Sequence, residues 1–350
     1  MGKKIRQNIT ILLSRLGNYA FPNGKPTLDW CDGGGGDDPV LPIYSVQKTI
    51  GTGLSASGGD DDVNEGDRLE VTIAITNDLY IIDEDNVVVT MDGSPVDGAF
   101  DAVTGKITIA EVYGEVVINV PSMTYVQDNL VLHLDGKHRG GTGSAVSGHW
   151  KSLVDYNDSP IDFTLTSCDE SHVDYVGFDG QSSKGIGSVP LLDVAAASGS
   201  IEAVYGGAAL NSQACVIMHN ALGSGSRICL ASGHPSAYPT GDNHITMATA
   251  VNGGDTPLSV AYQIAQSAFL SNHYLSLVQE SFLIGGSPQS PQDSHNQAAN
   301  ANSMLSLGYR KTSNDLFFKC NIYALRVYAD KLTAEEQLQN YKVDKKRFNL

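Results

Sequence analysis

The sequence predicts an all-β protein that begins with a helical or irregular arm and ends with one short helix. Short runs of alternating apolar and polar residues, such as Leu69–Ile75 and Leu130–Leu134, recur along the 350 residues, and a period of two is that of half-buried strands. Glycine is abundant and charged residues make up only 17% of the chain, which suits many strands joined by turns. A helix-start signal follows the last strand-like run, at Thr333.

Residues 1–32 are predicted to be an anchoring arm. Its apolar residues fall on one face of a helix that ends near Gly17. A helix this short is not stable alone in water, so the arm requires a partner, which is another protein, its own downstream domain or a second copy. Five basic residues and one acidic residue in positions 1–30 favour an acidic partner. The predicted anchoring side chains are Ile5, Ile9, Leu12, Leu13, Leu16, Tyr19, Phe21 and Trp30.

Composition excludes several classes of protein. A formal net charge of −17 argues against nucleic-acid binding, because phosphate recognition needs a basic face. No stretch reaches the roughly 18 apolar residues of a transmembrane helix, and the arm has no signal-peptide cleavage site, so we expect neither a membrane partner nor export. Five cysteines without CxxC spacing favour reduced, mostly buried thiols in a reducing compartment.

Residues 33–38 read as a flexible linker, because four glycines are flanked by aspartates. Residues 39–124 are predicted to form a small β-sandwich of short strands about ten residues apart. Its loops are strongly acidic, but neither Gly58–Asp62 nor Asp83–Asn86 follows the Asp-x-Asp-x-Asp-Gly pattern of a calcium loop. We therefore interpret both as solvated acidic loops.

Residues 125–350 are predicted to form a larger sandwich that the C-terminal end completes. Leu316, Phe318, Cys320 and Ile322 alternate, whereas Leu325 and Val327 have the other parity. Either a β-bulge or a strand that is buried on both faces explains this change.

A capping box at Thr333 and Glu336 predicts a helix from about Ala334. We expect this helix to present Leu338 and Tyr341 to the sheet. Its last turns are basic, which the helix dipole favours, and we interpret them as a solvated helix end. These basic residues are Lys342, Lys345, Lys346 and Arg347.

The sequence predicts no catalytic residue, no cofactor and no metal ion. Acidic residues are sparse between Ser188 and Ser303 and none are closely paired, whereas glycosidases need two carboxylates flanking the sugar bond. His133, Asp135 and His138 form the tightest group of metal-ligating residue types. We weigh zinc against ordinary imidazoles there and favour the latter. Calcium at the rim of the sandwich stays open.

Two loops carry aromatic and amide side chains of the kind that bind sugars, because rings stack on sugars and amides bond to hydroxyls. The alternative is that both are ordinary loops or an interface with a second subunit. The candidate carbohydrate-binding residues are His234, Tyr238, Asp242, Asn243, His244, Asn272, His273 and Tyr274.

Two stretches resemble known modules. Residues 65–120, from EGDRLEVTIAI to GEVVINV, are similar to the immunoglobulin-like modules of tailed-phage structural proteins. The larger unit resembles the concanavalin A-like, laminin-G-type jelly roll. The match departs at Cys320, where glycine is usual, and over a divergent middle, 233–302. The segments that carry it are Leu130–Gly136, Trp150, Tyr175–Gly180, Ile322–Tyr328 and Leu332–Tyr341.

The combination resembles virion proteins of tailed bacteriophages, either head fibres or capsid decorations. The resemblance implies that the arm binds the major capsid protein or another virion protein through residues 1–32, that the jelly roll displays a lectin-like surface for a host glycan, and that the chain forms a homo-oligomer, a dimer or trimer. It places the protein in the virion, assembled in the host cytoplasm, and implies no enzymatic activity. The alternatives are a glycan-degrading depolymerase and a bacterial surface adhesin.

Overall fold

The computed structural model describes residues 41–188, 200–207, 304–310, 316–330 and 332–350, together with the backbone of strands within 214–289. The described residues from Ile43 onward belong to one compact unit, Ile43–Leu350. The predicted arm and linker lie outside the described residues. In the described part, no helix is long and apolar enough to cross a membrane.

The first sandwich is built from short strands with a 3-10 turn, η1 (Glu84–Asn86). One of its sheets has the order β3-β1-β10-β6-β7 and the other has the order β2-β4-β9-β8, while β5 and β11 pair separately. The strands are β1 (Ile43–Ile50), β2 (Leu54–Ser57), β3 (Asp62–Asn64), β4 (Leu69–Ile75), β5 (Ile81–Ile82), β6 (Val88–Met91), β7 (Ser94–Pro95), β8 (Phe100–Asp101), β9 (Lys106–Ile109), β10 (Val116–Val120) and β11 (Ser122–Met123).

Alternation along the strands fills the core of the first sandwich. Val116, Ile118 and Val120 of β10 are buried, and so are Val71 and Ile107 in the opposite sheet. The intervening side chains of β10 are exposed, as a period of two requires. β1 runs parallel to β10, so the first strand of this sandwich and one of its last strands are neighbours in the same sheet.

The second sandwich is larger and contains η2 (Gly136–His138) and the C-terminal helix α1 (Ala334–Phe348). Its strands are β12 (Leu130–Asp135), β13 (His149–Tyr156), β14 (Ser159–Thr166), β15 (Val176–Asp179), β16 (Lys184–Gly187), β17 (Ser200–Gly206), β18 (Ala214–Asn220), β19 (Arg227–Ser232), β20 (His244–Ala250), β21 (Leu258–Gln263), β22 (His273–Val278), β23 (Ser281–Ile284), β24 (Ser287–Gln289), β25 (Met304–Leu307), β26 (Tyr309–Arg310), β27 (Leu316–Phe317) and β28 (Lys319–Tyr328).

Two large antiparallel sheets face each other in the second sandwich. The first sheet has the order β12-β28-β17-β22-β23-β24, with β15 also paired to β28, and the second has the order β13-β14-β16-β25-β18-β19-β20-β21. One apolar cluster joins them: Leu132 and Ile322 from the first sheet pack with Trp150, Phe163 and Leu307 from the second. The prediction of an all-β sandwich with a C-terminal helix is confirmed.

Both features predicted as alternatives for β28 occur: the strand contains a bulge, and from Ala324 to Tyr328 it is buried on both faces. Val204 of β17 pairs with Ala324 and Tyr205 pairs with Ile322, so Tyr323 is the extra residue. The bulge moves Leu325 and Val327 onto the core face that Cys320 and Ile322 occupy before it. Residues after the bulge on the other face, including Arg326, lie beneath α1.

The capping box of α1 is confirmed: the Thr333 side chain accepts from the Glu336 backbone N–H, and Glu336 accepts from that of Thr333. The predicted buried face is wrong at Leu338, which is 43% exposed. The helix instead buries a mostly polar stripe. Its buried residues are Gln337, Asn340, Val343, Asp344, Arg347 and Phe348.

Candidate functional site

The candidate site lies on the 167–175 loop, which joins β14 to β15. Its base is closed by two backbone hydrogen bonds of 2.9 Å that Asp169 and Gly177 exchange. On one side, Arg139 donates to the backbone oxygen of Glu170 at 2.8 Å, and the Glu170 carboxylate accepts from the Gly148 N–H at 2.9 Å. Anchored at its base and on one side, the loop holds its remaining side chains in a fixed place.

On the other side, the loop backbone approaches η2 very closely. A Cβ at Gly136 would stand 2.1 Å from the backbone oxygen of Asp174 and 2.9 Å from the Cα of Tyr175. Only glycine permits this approach, which places Tyr175 above β28.

A line of four rings runs from the loop tip to the end of α1, and we call it the ring row: His172, Tyr175, Tyr323 and Phe348. His172 stacks on Tyr175 with centroids 4.2 Å apart, Tyr175 lies 5.0 Å from Tyr323, and Tyr323 lies 5.7 Å from Phe348. The inner end is buried, whereas the side chain of His172 is 46% exposed. Tyr323 lies on the face of β28 opposite to Ile322, together with Ala324 and Phe348.

Carboxylates flank the exposed end of the ring row. Asp169 accepts hydrogen bonds from the backbone and hydroxyl of Ser171, at 2.9 and 2.7 Å, and lies 3.5 Å from His172 Nε2. These Ser171 bonds lower the pKa of Asp169 and keep it ionised. Asp174 lies 3.7 Å from Lys137 Nζ, and both acidic side chains are more than half exposed.

The two carboxylates act on the nearby Tyr175. The pKa of Tyr175 is raised, first by partial burial and then by the charges of Asp169 and Asp174. Tyr175 therefore stays a neutral phenol at physiological pH. Aromatic rings beside carboxylate acceptors suit a sugar, whose C–H faces stack on rings and whose hydroxyls donate to oxygen.

A second polar group of residues lies buried beneath α1, and we call it the ion cluster: Glu202, Arg326, Asp344, Arg347 and Asp135. Arg326 donates to Glu202 at 2.9 Å and forms two bonds with Asp344, one of 3.1 Å, with all three side chains fully buried. Arg347 bonds to Asp135 and, at 2.7 Å, to the Tyr125 hydroxyl. Because every charged member has an opposite partner, the cluster fixes α1 on the sheet.

His133 lies at the edge of the ion cluster, and it does not form the zinc site that we weighed. Its Nε2 is 3.8 Å from Asp135 and has no hydrogen-bond partner among the described residues. Burial, followed by the charge of Arg326, lowers its pKa to about 3, so the ring is neutral. No group of three or more metal-ligating side chains in the described part is arranged to hold a metal ion.

Most of the residues predicted from sequence lie outside the described residues. This holds for the sugar-binding candidates His234, Tyr238, Asp242, Asn243 and Asn272, and for the anchoring residues Ile5, Ile9, Leu12, Leu13, Leu16, Tyr19, Phe21 and Trp30.

The backbone of the other three sugar-binding candidates is described. His244 is the first residue of β20, whereas His273 and Tyr274 begin β22, so they belong to different sheets. His273 pairs with Tyr205, which pairs with Ile322. The start of β22 is therefore about 10 Å from β28, two strand spacings away, at the end of the sheet that carries Tyr323.

Sequence reasoning did not identify the ring row. Tyr175–Gly180 was assigned only to the jelly-roll resemblance, and Asp169–Tyr175 (DESHVDY) was not predicted to be a binding loop. A signal was present, since this loop sequence places a histidine and a tyrosine among three acidic residues. Tyr323 comes from a strand far away in the chain, so its proximity depends on the fold.

No family model and no curated protein matches the sequence. Solved structures similar to this chain include the Trypanosoma rangeli sialidase, with a TM-score of 0.44 and 12% identity over 64% of this chain and 34% of that one. Domain 4 of a GH43 extracellular arabinanase from Geobacillus stearothermophilus, in complex with arabinotriose, has a TM-score of 0.41 and 12% identity over 62% of this chain and 100% of that one.

A third similar structure is the binding domain of botulinum neurotoxin DC in complex with SialylT. Its TM-score is 0.41 and its identity 10%, over 61% of this chain and 51% of that one. The matched part thus spans about a third of the sialidase, half of the toxin domain and the whole of the arabinanase domain.

The prediction that this chain is not an enzyme is contradicted by these matches, which include a sialidase and a domain of a glycoside hydrolase. It rested on the spacing of acidic residues along the sequence. That spacing is a poor guide, because folding places Glu202 and Asp344 on the same arginine from distant parts of the chain.

Proposed function

We propose that this chain is a glycan-binding protein of a tailed-phage virion, a head fibre or capsid decoration, whose sugar-binding surface is the ring row. The stack of the exposed His172 ring on the partly buried Tyr175, with Asp169 and Asp174 nearby, is the observation that carries the glycan-binding part. Because the loop is anchored, the outer face of this stack is available to a ligand without rearrangement of the backbone, which lowers the cost of binding.

The virion part of the proposal rests on the two sequence resemblances and on the arm, which requires a partner. In this proposal residues 1–32 bind the major capsid protein or another virion protein, and the chain is a dimer or trimer in the particle. Tyr274 is proposed to extend the same surface, since β22, which begins with His273 and Tyr274, starts at that end of the sheet. Protein mass spectrometry of purified particles tests this part, and a particle without the chain would refute it.

A glycan array tests the binding part. The wild-type chain is expected to bind a subset of glycans, and Tyr175→Ala is expected to weaken that binding about twofold to tenfold, because one aromatic contact is worth about 0.5–1.5 kcal/mol. Tyr113→Ala is the matched control, since Tyr113 is 46% exposed in the first sandwich, and it should bind as the wild type does. Equal binding by the wild type and Tyr175→Ala would remove the ring row from the proposal.

The same glycans are incubated with the wild-type chain and their reducing ends are measured. Release of sugar would make the ring row a substrate site instead of an attachment site. Tyr175→Ala would then lower the rate of release along with binding, and this result separates the depolymerase alternative from adhesion.

A further inference from the structure

The electrostatics of the ring row restrict the kind of sugar that it accepts, an inference that rests on the proposed function. Asp169 and Asp174 are exposed by 58% and 54%; Asp169 lies 3.5 Å from His172 Nε2, and Asp174 directly precedes Tyr175 in the chain. Among the described residues, Lys137 pairs with Asp174 at 3.7 Å, and Asp169 lies beside His172. Glu170 and Arg139 pair with each other at 3.6 Å on the other side of the loop. The exposed end therefore has an excess of negative charge.

A sugar stacked on the exposed His172 ring would lie beside Asp169, whose carboxylate is 3.5 Å from His172 Nε2. The charges of Asp169 and Asp174 both raise the pKa of the Tyr175 hydroxyl, which means that they disfavour an anion at that ring. A carboxylate on a bound sugar is also an anion a few ångströms from the same groups. It would meet the same repulsion, whereas a hydroxyl would donate a hydrogen bond to either carboxylate.

We infer that the ring row selects uncharged sugars, such as neutral hexoses or N-acetylated hexosamines, and rejects glycans that end in a sialic or uronic acid. Stacking on the rings supplies affinity for any sugar, and the two aspartates supply the discrimination. Rejection by like charge is a common source of specificity, because it penalises the wrong ligand without strengthening the right one.

Matched glycan pairs test this inference. Each pair has the same core with a neutral end or with an added sialic or uronic acid, and the dissociation constants are measured by biolayer interferometry at low salt. The wild-type chain is expected to bind the neutral member about tenfold more tightly, as expected for a carboxylate placed beside one or two exposed charges. Added salt should reduce this ratio, since the charges are exposed.

The double variant Asp169→Asn, Asp174→Asn should bring the ratio close to one while neutral glycans still bind. Asparagine keeps the oxygen that accepts from Ser171, so the loop is preserved. The matched control is Asp60→Asn, Asp97→Asn, which removes two exposed charges from the first sandwich and should leave the ratio unchanged.

The outcomes separate this inference from the proposed function. Equal or tighter binding of the acidic members by the wild type would overturn the selection of neutral sugars while glycan binding stands. An unchanged ratio in the Asp169, Asp174 variant would overturn the role of these two residues. If the wild type bound no glycan at all, the proposed function would fall and this inference would fall with it.

Discussion

At the scale of single residues, the most unusual environment is that of His133. The ring is 3% exposed and packs edge-on against Tyr125, with centroids 4.8 Å apart. Its Nε2 lacks a hydrogen-bond partner among the described residues. A protonated imidazole there would be a buried cation close to Arg326 and Arg347, which explains why its pKa falls to about 3.

Replacement of His133 by phenylalanine is therefore expected to reduce the acid sensitivity of the fold. Unfolded His133 binds a proton below about pH 6.5, whereas the folded ring stays neutral down to about pH 3. Proton uptake on unfolding thus lowers the free energy of unfolding as the pH falls through this window, by up to about 1.4 kcal/mol per pH unit. Measured by urea unfolding between pH 6.5 and 3, the free energy of unfolding should fall less steeply with pH for His133→Phe than for the wild type.

At pH 7 the same variant should be about as stable as the wild type, because phenylalanine keeps the ring contact and removes an unpaired nitrogen. Protonation of ionised aspartates also makes the fold less stable as the pH falls. Asp135 is one of them, since Arg347 lowers its pKa against the effect of burial. Only the difference between the variant and the wild type is therefore informative. His149→Phe is the control, since His149 is 40% exposed. Equal slopes for His133→Phe and the wild type would contradict the neutral buried ring.

Residue types in the sequence predicted less of these sites than of the fold. Alternation along β12 places His133 and Asp135 on one face, which is correct, but it does not show that α1 covers that face. The same limit applies to the ring row, where Tyr175 and Tyr323 come together because β15 pairs with β28, so that Val176 lies opposite Ile322. Local pattern predicts which face a side chain occupies, whereas the partner depends on tertiary contacts.

At the scale of elements, α1 is held to the sheet mainly by polar contacts. Asn340 donates to Glu202 and to the Tyr328 hydroxyl, both at 2.9 Å, and accepts from the backbone of Val126 at 2.9 Å. The apolar residue Leu338 points away from this face. The capping box therefore predicted the start of the helix correctly. The buried face was predicted correctly at Tyr341, which packs against the cluster of Val204, Ala324 and Phe348, and incorrectly at Leu338, because hydrophobic spacing does not detect a buried face of paired polar groups.

Arg326 is the residue on which the docking of α1 depends most. Arg326→Met would leave Glu202 and Asp344 buried without their cation, and loss of one partner of a buried pair costs about 3–5 kcal/mol. We expect a loss of that size in the free energy of unfolding by urea, with earlier proteolysis at the C-terminal helix.

Arg68→Met is the matched control for this loss. Arg68 pairs with Glu70 at 2.5 Å, but both side chains are more than half exposed, and exposed pairs contribute about 0–1 kcal/mol. If Arg326→Met lowered the free energy of unfolding as little as Arg68→Met does, the ion cluster would not be what holds the helix on the sheet.

At the scale of the whole described unit, α1 also contacts the first sandwich. Lys342 bonds to Asp85 at 2.7 Å and Lys346 to Glu84 at 2.6 Å, while His138 of η2 lies 2.7 Å from Asp78. Two charge runs that the sequence led us to interpret as solvated, the acidic loop at Asp83–Asn86 and the basic end of α1, are thus partners of each other. Each run is polar and partly exposed, so nothing in its own composition indicates the pairing.

Beside these ion pairs, an apolar cluster connects the two sandwiches. Val343 of α1 is fully buried with Ile81 of β5 and Tyr125, and Leu79 and Met123 pack around them. Exposed ion pairs contribute little to stability, so this cluster supplies most of the coupling. The two sandwiches should then unfold together in one cooperative transition.

Val343→Asp is expected to separate that transition into two. A carboxylate at this position would be buried without a partner in an apolar cluster, and the cost of several kcal/mol is avoided if the two sandwiches part and the site opens to water. Differential scanning calorimetry of the whole chain should show one transition for the wild type and two for the variant. Leu338→Asp places the same charge on the exposed side of α1 and should keep one transition. Two transitions already present in the wild type, or one retained in Val343→Asp, would mean that the sandwiches are not coupled through Val343.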